Sequence, residues 1–198
     1  MTHVQQGETA SPKRDVTVHE EVIDGFGTVR MRVVDPAADA EVLHSWVTQE
    51  HARYWGMLGA DQERVRDIYG YVDSLATHHA YLVHLDDRPV ALFQTYEPEH
   101  DPVGECYEVQ PGDFGVHVLI GPPVGPAAPG FTGTLLGFFL GHLLEDRSRT
   151  RIVAEPDSRN DRAIARFLRT GFVKGPEIEL PEKRARLVFL DRADFRRN

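Results

Sequence analysis

The sequence has little cysteine, few long apolar runs and a deficit of basic charge. Its single cysteine, Cys106, excludes an intrachain disulfide and any multi-cysteine metal site, as is typical of a reducing cytoplasm, where we expect the protein. No apolar run approaches the roughly 18 residues that span a bilayer, so we expect no membrane contact. Acidic residues outnumber basic ones by 31 to 22, and the net charge of −9 disfavours nucleic acid as a partner.

The length and composition fit one domain with a full core. The chain has 198 residues, of which 41% are hydrophobic and 27% are charged. It begins with the polar letters MTHVQQGETASPKRD and lacks an apolar signal-peptide core. We therefore expect residues 1–24 to be a flexible N-terminal leader and residues 25–198 to form a single domain.

Hydrophobic periodicity predicts a mixed α/β fold. Alternating letters predict a strand at 26–34, and helical spacing predicts helices after Pro36 and over residues 60–76. A hairpin that turns at 86–89 follows, and two further strands are expected near the C-terminus, around 172–190. The middle strands are apolar on both sides, so one mixed sheet with helices on both faces satisfies this order.

The central stretch, Gly112 to Phe172, carries the clearest chemical signal. It reads as a strand, a glycine-rich bend, a helix, a second strand and a second helix, which together make a βαβ unit. Backbone N–H groups at the start of a helix are unpaired and face the positive end of the helix dipole. The bend therefore predicts a phosphate site.

This stretch resembles the GCN5-related N-acetyltransferase (GNAT) superfamily. The strand GVHVLI runs directly into the glycine-bearing bend, and the second helix matches the pattern N-x-x-A-x-x-x-aromatic-x-x-x-G-F from Asn160 to Phe172. The resemblance implies a central mixed, twisted sheet of about seven strands flanked by helices, and acyl-CoA as cosubstrate. It implies these cofactor-binding residues: Val118, Ile120, Gly130, Phe131, Thr132, Gly133, Thr134, Asn160 and Arg162.

The bend and the last helix depart from the family pattern. Pro129 stands where a basic residue is common, and both Pro126 and Pro129 lack an N–H that could face a phosphate. Arg159 or Arg162 could supply the missing charge. Phe167 stands where many members have a tyrosine that protonates the leaving thiolate, so another group or water must do so here.

A narrower resemblance is to the acyltransferases of hydroxamate siderophore biosynthesis, similar to the aerobactin, mycobactin and desferrioxamine enzymes. It rests on HARYWGM at 51–57, on GVHVLI and on EPDSRN at 155–160. It implies transfer of an acetyl, succinyl or similar acyl group to an N-hydroxylated lysine, ornithine or diamine such as N-hydroxycadaverine. The family often has a glutamate where this chain has Gln94.

We expect His117 and Glu155 to be the catalytic pair. His117 could take the proton of the attacking nitrogen, and Glu155, at the end of the next parallel strand, could orient it. The alternatives are a histidine satisfied in the core and a helix-capping or surface carboxylate. We expect no metal site, because His78, His79 and His84 lack a carboxylate or cysteine partner at metal-ligand spacing.

The acceptor pocket is expected to contain His51, Tyr54, Trp55, Met57 and Gln94. Aromatic walls suit an aliphatic chain, whereas ordinary helix packing would explain the same spacing. Two other functions stay open: acetylation of another small amine, such as an antibiotic, and a non-catalytic acyl-CoA-binding module. We expect a monomer or a homodimer.

Overall fold

A single eight-stranded sheet organises the computed structural model, which describes residues 16–123 and 129–196. The strand order is β1-β2-β3-β4-β5-β6-β8-β7, and β5 and β6 are parallel while the other neighbours are antiparallel. The strands are β1 Thr17–Ile23, β2 Gly27–Val33, β3 His78–Leu85, β4 Arg88–Tyr96, β5 Asp113–Ile120, β6 Arg151–Ala154, β7 Val173–Glu179 and β8 Arg184–Asp191. The helices are α1 Ala40–Val47, α2 Gln62–Ser74, α3 Phe131–Leu143 and α4 Asp161–Arg169, and a 3-10 segment, Glu50–Trp55, lies between α1 and α2.

Helices cover both faces of the sheet, as the sequence predicted. In β4, Ala91 and Phe93 belong to the core cluster that contains α3, and Leu92 belongs to the cluster that contains α1 and α2. Successive side chains of a strand point to opposite faces, so the two clusters are the two sides of the sheet. The mixed α/β fold is confirmed, with one strand more than expected.

The expected leader of residues 1–24 is wrong in its last part, because Thr17–Ile23 is β1 and pairs antiparallel with β2. β1 is an edge strand with one neighbour, so few apolar residues suffice and its polar composition is misleading. The signal that predicts it is Asp24-Gly25, a turn dipeptide, and Gly25 has the positive φ of 69° that such a turn favours. Residues 1–15 lie outside the described residues.

The two parallel strands separate near the middle of the sheet. β5 pairs with β6 only from Asp113↔Arg151 to Gly115↔Val153. From Val116 to Ile120, β5 pairs with β4 on its other side, and within the described ranges no strand pairs with it on the β6 side. Backbone groups along that edge of β5 are therefore available to a ligand.

None of the helices that the structure describes has the length and apolar content that crossing a bilayer requires.

Candidate active site

The structure brings His117 and Glu155 together where β5 and β6 separate. His117 lies two residues beyond the last β5–β6 pair, and Glu155 directly follows β6. Parallel strands end at the same edge of a sheet, which is why the two side chains meet. His117 Nε2 is hydrogen-bonded to Glu155 Oε1; the His117 side chain is 32% exposed, whereas that of Glu155 is 4% exposed. A ligand can thus reach the ring but not the carboxylate.

Gln94 contacts the other nitrogen of the same ring. It pairs directly with His117 across β4 and β5, and its Oε1 lies 3.2 Å from His117 Nδ1. Both ring nitrogens therefore face an oxygen acceptor, an arrangement that satisfies the doubly protonated ring. The structure places Gln94 as a partner of His117, whereas the sequence suggested a contact with substrate.

Tyr96 is a site residue that the sequence reasoning missed. Its hydroxyl donates to Glu155 Oε2 at 2.5 Å, and its ring lies 5.0 Å from that of His117. Gly115, opposite Tyr96 in the register, leaves room for this ring, because a Cβ at Gly115 would lie 2.1 Å from a Tyr96 ring carbon. Tyr96 lies two residues from Gln94, on the same face of β4, and this period-two spacing is a signal that could have found it.

Lys183 is the second residue missed. Its Nζ lies 3.5 Å from Glu155 Oε1, and its side chain is 18% exposed. It belongs to the turn between β7 and β8, far from Glu155 in sequence, and no local pattern predicts the contact.

These contacts determine the charge of Glu155. Burial by itself would raise the pKa of the Glu155 carboxyl. The charge and hydrogen bond of His117, followed by Lys183 and Tyr96, outweigh burial and lower that pKa to about 2. Glu155 is therefore ionised at neutral pH.

Part of the expected acceptor pocket adjoins His117. The Trp55 ring stands edge-on to the His117 ring, with centroids 6.2 Å apart, and its Nε1 donates to the hydroxyl of buried Tyr69 at 3.0 Å. Tyr54 donates to the backbone oxygen of Arg159 at 3.2 Å, which ties the 3-10 segment to the loop after β6. Of these two aromatic residues, Trp55 lies beside the His117 ring.

The other two pocket residues are less closely associated with the ring. Met57 packs against the core under α1 and α2, as the packing alternative describes. His51 is exposed at the start of the same 3-10 segment.

The expected phosphate bend leads into α3. Gly130 precedes the helix with a φ of 80°, Phe131 begins it, and Thr134 Oγ1 donates to the Gly130 oxygen at 3.3 Å. A Cβ at Gly130 or Gly133 would meet no atom of the described residues within 4 Å, so these residues leave the space beside the helix start open. Thr132 lies in the same first turn.

Two more predictions for cofactor binding concern β5. The side chains of Val118 and Ile120 pack in the α3 core, so their backbone is what the unpaired β5 edge can offer a ligand. Pro126, one of the two prolines that remove an N–H from the bend, lies outside the described residues.

The remaining candidates lie at α4. Asn160 Oδ1 accepts from the Ala163 N–H at 3.1 Å and caps this helix, while Arg162 is exposed in its first turn. Phe167 is buried against Phe172, with ring centroids 4.9 Å apart.

The expectation of no metal site stays a prediction. Within the described ranges, His19, His142 and Glu145 place potential ligand atoms within 4.8 Å of one another, between β1 and the end of α3. The stacking of the two imidazole rings, 4.4 Å apart, and the 3.2 Å contact between His142 and Glu145 account for this group without an ion.

The chain is similar to two enzymes that act on hydroxylated amines. One is N(6)-hydroxylysine O-acetyltransferase of Escherichia coli, with 30% identity over 168 residues, or 83% of this chain and 52% of that protein. The other is N-hydroxyputrescine acetyltransferase of Acinetobacter baumannii, with 24% identity over 160 residues, or 79% of this chain and 74% of that protein. The chain thus spans about half the length of the hydroxylysine enzyme.

A solved structure extends the likeness in fold. AAC(6')-Ib in complex with ribostamycin and coenzyme A superposes with a TM-score of 0.73 at 22% identity, over 84% of this chain and 94% of that one. A family model described as an acetyltransferase (GNAT) domain matches residues 35–180. Because this match extends over most of the chain, the protein belongs to the GNAT acetyltransferase family.

Proposed function

We propose that the protein is an acyl-CoA-dependent N-acyltransferase that acylates an N-hydroxylated diamine or amino acid in hydroxamate siderophore assembly. The observation that carries the proposal is the contact of His117 with Glu155 beside the unpaired edge of β5. The named activities of the hydroxylysine and hydroxyputrescine relatives support the acceptor class. A coenzyme A thioester as donor supports a cytoplasmic reaction.

The proposed acyl-CoA site consists of the β5 edge and the start of α3. Backbone groups from Val116 to Ile120 would hydrogen-bond the acyl arm, and the N–H groups that open α3 would face the pyrophosphate. The open space at Gly130 and Gly133 fits this role. Arg162 and the Asn160 amide, at the start of α4, are the proposed further contacts.

In the proposed reaction, the neutral hydroxylamine nitrogen attacks the thioester carbonyl carbon, and a C–N bond forms. A backbone N–H of the β5 edge donates to the developing oxyanion. His117 keeps Nε2–H on Glu155 and accepts the nitrogen's proton at Nδ1, where the attacking nitrogen would take the place of Gln94 Oε1. Gln94 Oε1 would then accept from the Nδ1–H once that nitrogen has moved away.

The intermediate then collapses and the C–S bond breaks, with the electron pair leaving on the thiolate. The thiolate takes a proton from water, because Phe167 has none to give, and His117 returns its proton to solvent. The acceptor N–H is replaced by N–acyl and coenzyme A leaves as the thiol. A hydroxylamine nitrogen is already neutral near neutral pH, so no covalent enzyme intermediate is needed.

The proposed acceptor pocket is the space in front of Trp55 and Tyr54, with His51 at its rim. The edge of Trp55 near His117 suits the aliphatic chain of a diamine or lysine side chain. Met57 would support this pocket indirectly, because it packs against the core under α1 and α2.

A thiol-release assay tests the proposal. Acetyl-CoA and succinyl-CoA are offered with N-hydroxycadaverine, N-hydroxyputrescine and N6-hydroxylysine, each paired with its unhydroxylated parent as the matched control. We expect turnover with at least one hydroxylated acceptor and a product that forms a coloured ferric hydroxamate. Turnover with the parent amines alone would overturn the acceptor class, and an O-acyl product that gives no ferric complex would overturn N-acylation. Tight coenzyme A binding without turnover would favour a non-catalytic module.

A further inference from the structure

The turn between β7 and β8 holds a lysine at the active site. Leu180 and Lys183 exchange two backbone hydrogen bonds, of 2.8 and 3.3 Å, which close the turn around Pro181 and Glu182. The Lys183 side chain is only 18% exposed although it lies in a turn. Removing an ammonium group from water is costly unless it meets an opposite charge, so its placement requires a partner.

That partner is Glu155, at 3.5 Å. The backbone fixes both ends of the contact, because the loop after Glu155 is bonded to β8 directly beyond Lys183. Arg186 N donates to the Pro156 oxygen at 2.9 Å, and Ser158 N donates to the Arg184 oxygen at 2.9 Å. The two backbone segments that carry the contact are therefore held side by side.

The titratable groups that interact with Glu155 come from several elements. They are His117 of β5, Tyr96 of β4, Lys183 of the β7–β8 turn, and Tyr107 of the segment before β5. Lys183 also acts on the nearby carboxyl of Asp157, which is paired with Arg159. Lys183 and His117 are thus the two groups next to the Glu155 carboxylate that can be cationic.

This arrangement limits how strongly Glu155 holds a proton on His117. A carboxylate with a single neighbouring ring stabilises the protonated form of that ring with its full charge. The Lys183 ammonium group contacts the same oxygen of Glu155 as the His117 ring does. Its positive charge therefore repels a second positive charge on that ring. The His117 ring can then stay hydrogen-bonded to Glu155 and still release the proton that it takes from the substrate.

We propose that Lys183 is a positioning residue that balances the charge of Glu155, so that His117 returns to its neutral, proton-accepting form at each turnover. Lys183 acts through Glu155 and does not contact substrate. The proposal rests on the proposed function in so far as it assigns proton transfer to His117.

The test is the pH profile of kcat/KM for Lys183→Met, at constant ionic strength. We expect the acidic limb to move to higher pH by about one unit, which is a loss of about tenfold on that limb, with the plateau within about threefold of wild type. Lys183→Arg should restore the wild-type profile. Arg184→Met is the matched control, because Arg184 is the next residue, is exposed and pairs with Glu179; its profile should overlay that of wild type.

If kcat/KM of Lys183→Met falls by the same factor at every pH, the proposal is overturned and Lys183 has only a structural role. An unchanged profile would overturn it as well. If Lys183→Met does not fold, as judged by thermal unfolding, Lys183→Gln takes its place.

The failure of the proposed function would look different. If wild-type protein acylates only unhydroxylated amines, the acceptor class fails, and the Lys183 profile is then measured on that amine, whose proton the same ring would take. Absence of turnover with any amine would overturn both proposals.

Discussion

At the scale of single residues, the proposed reaction depends on the ring of His117. We expect His117→Ala to lower the rate of thiol release at least about tenfold, which is about 1.4 kcal/mol of transition-state stabilisation. The reason is that Glu155 is buried and cannot take the nitrogen's proton itself.

His100→Ala is the matched control for that loss. His100 is an exposed histidine whose partner is Glu97 at 3.7 Å, so its removal should leave the rate unchanged. A near-normal rate in His117→Ala would make His117 a structural residue whose role is limited to its contacts with Glu155 and Gln94.

At the scale of elements, the site depends on how closely β4 and β5 approach each other. A Cβ at Gly115 would lie 2.1 Å from the Tyr96 ring, which is buried and holds Glu155. We expect Gly115→Ala to lower the free energy of unfolding by about 1–3 kcal/mol, as overpacking does, and to reduce turnover because Tyr96 must move. Urea unfolding and the thiol-release assay measure the two effects.

Gly70→Ala is the control for a glycine without such a neighbour. Gly70 lies inside α2, and a Cβ there would meet no atom within 4 Å in the part of the chain that the structure describes. This variant should be about 0.5–1 kcal/mol more stable than wild type, because alanine favours the helix. Equal stability of Gly115→Ala and wild type would contradict the packing argument.

At the scale of the whole molecule, the sequence predicted what depends on element order and missed what depends on how distant elements meet. His117 and Glu155 could be paired in advance, because the ends of two parallel strands lie at one edge of a sheet. Lys183 could not, since its contact requires the β7–β8 turn to pack beside the loop after β6. β1 was missed because an edge strand tolerates polar residues on its outer side.

The stability of the whole molecule should therefore depend on the Glu155 charge. Its pKa is lowered from 4.5 to about 2 in the folded protein, so its ionised form stabilises the fold above about pH 4.5 and this contribution is lost as pH falls toward 2. In Glu155→Gln, Lys183 is left without this carboxylate, and we expect a loss on the order of 3 kcal/mol at neutral pH.

Urea unfolding from pH 7 to pH 3 measures this dependence. The wild-type and Glu155→Gln curves should converge as pH falls, because protonation removes from the wild type the same charge that the variant lacks. Glu179→Gln, which removes a 70% exposed carboxylate paired with Arg184, should instead run close to wild type throughout. Parallel curves for wild type and Glu155→Gln would mean that the buried charge of Glu155 does not support the fold.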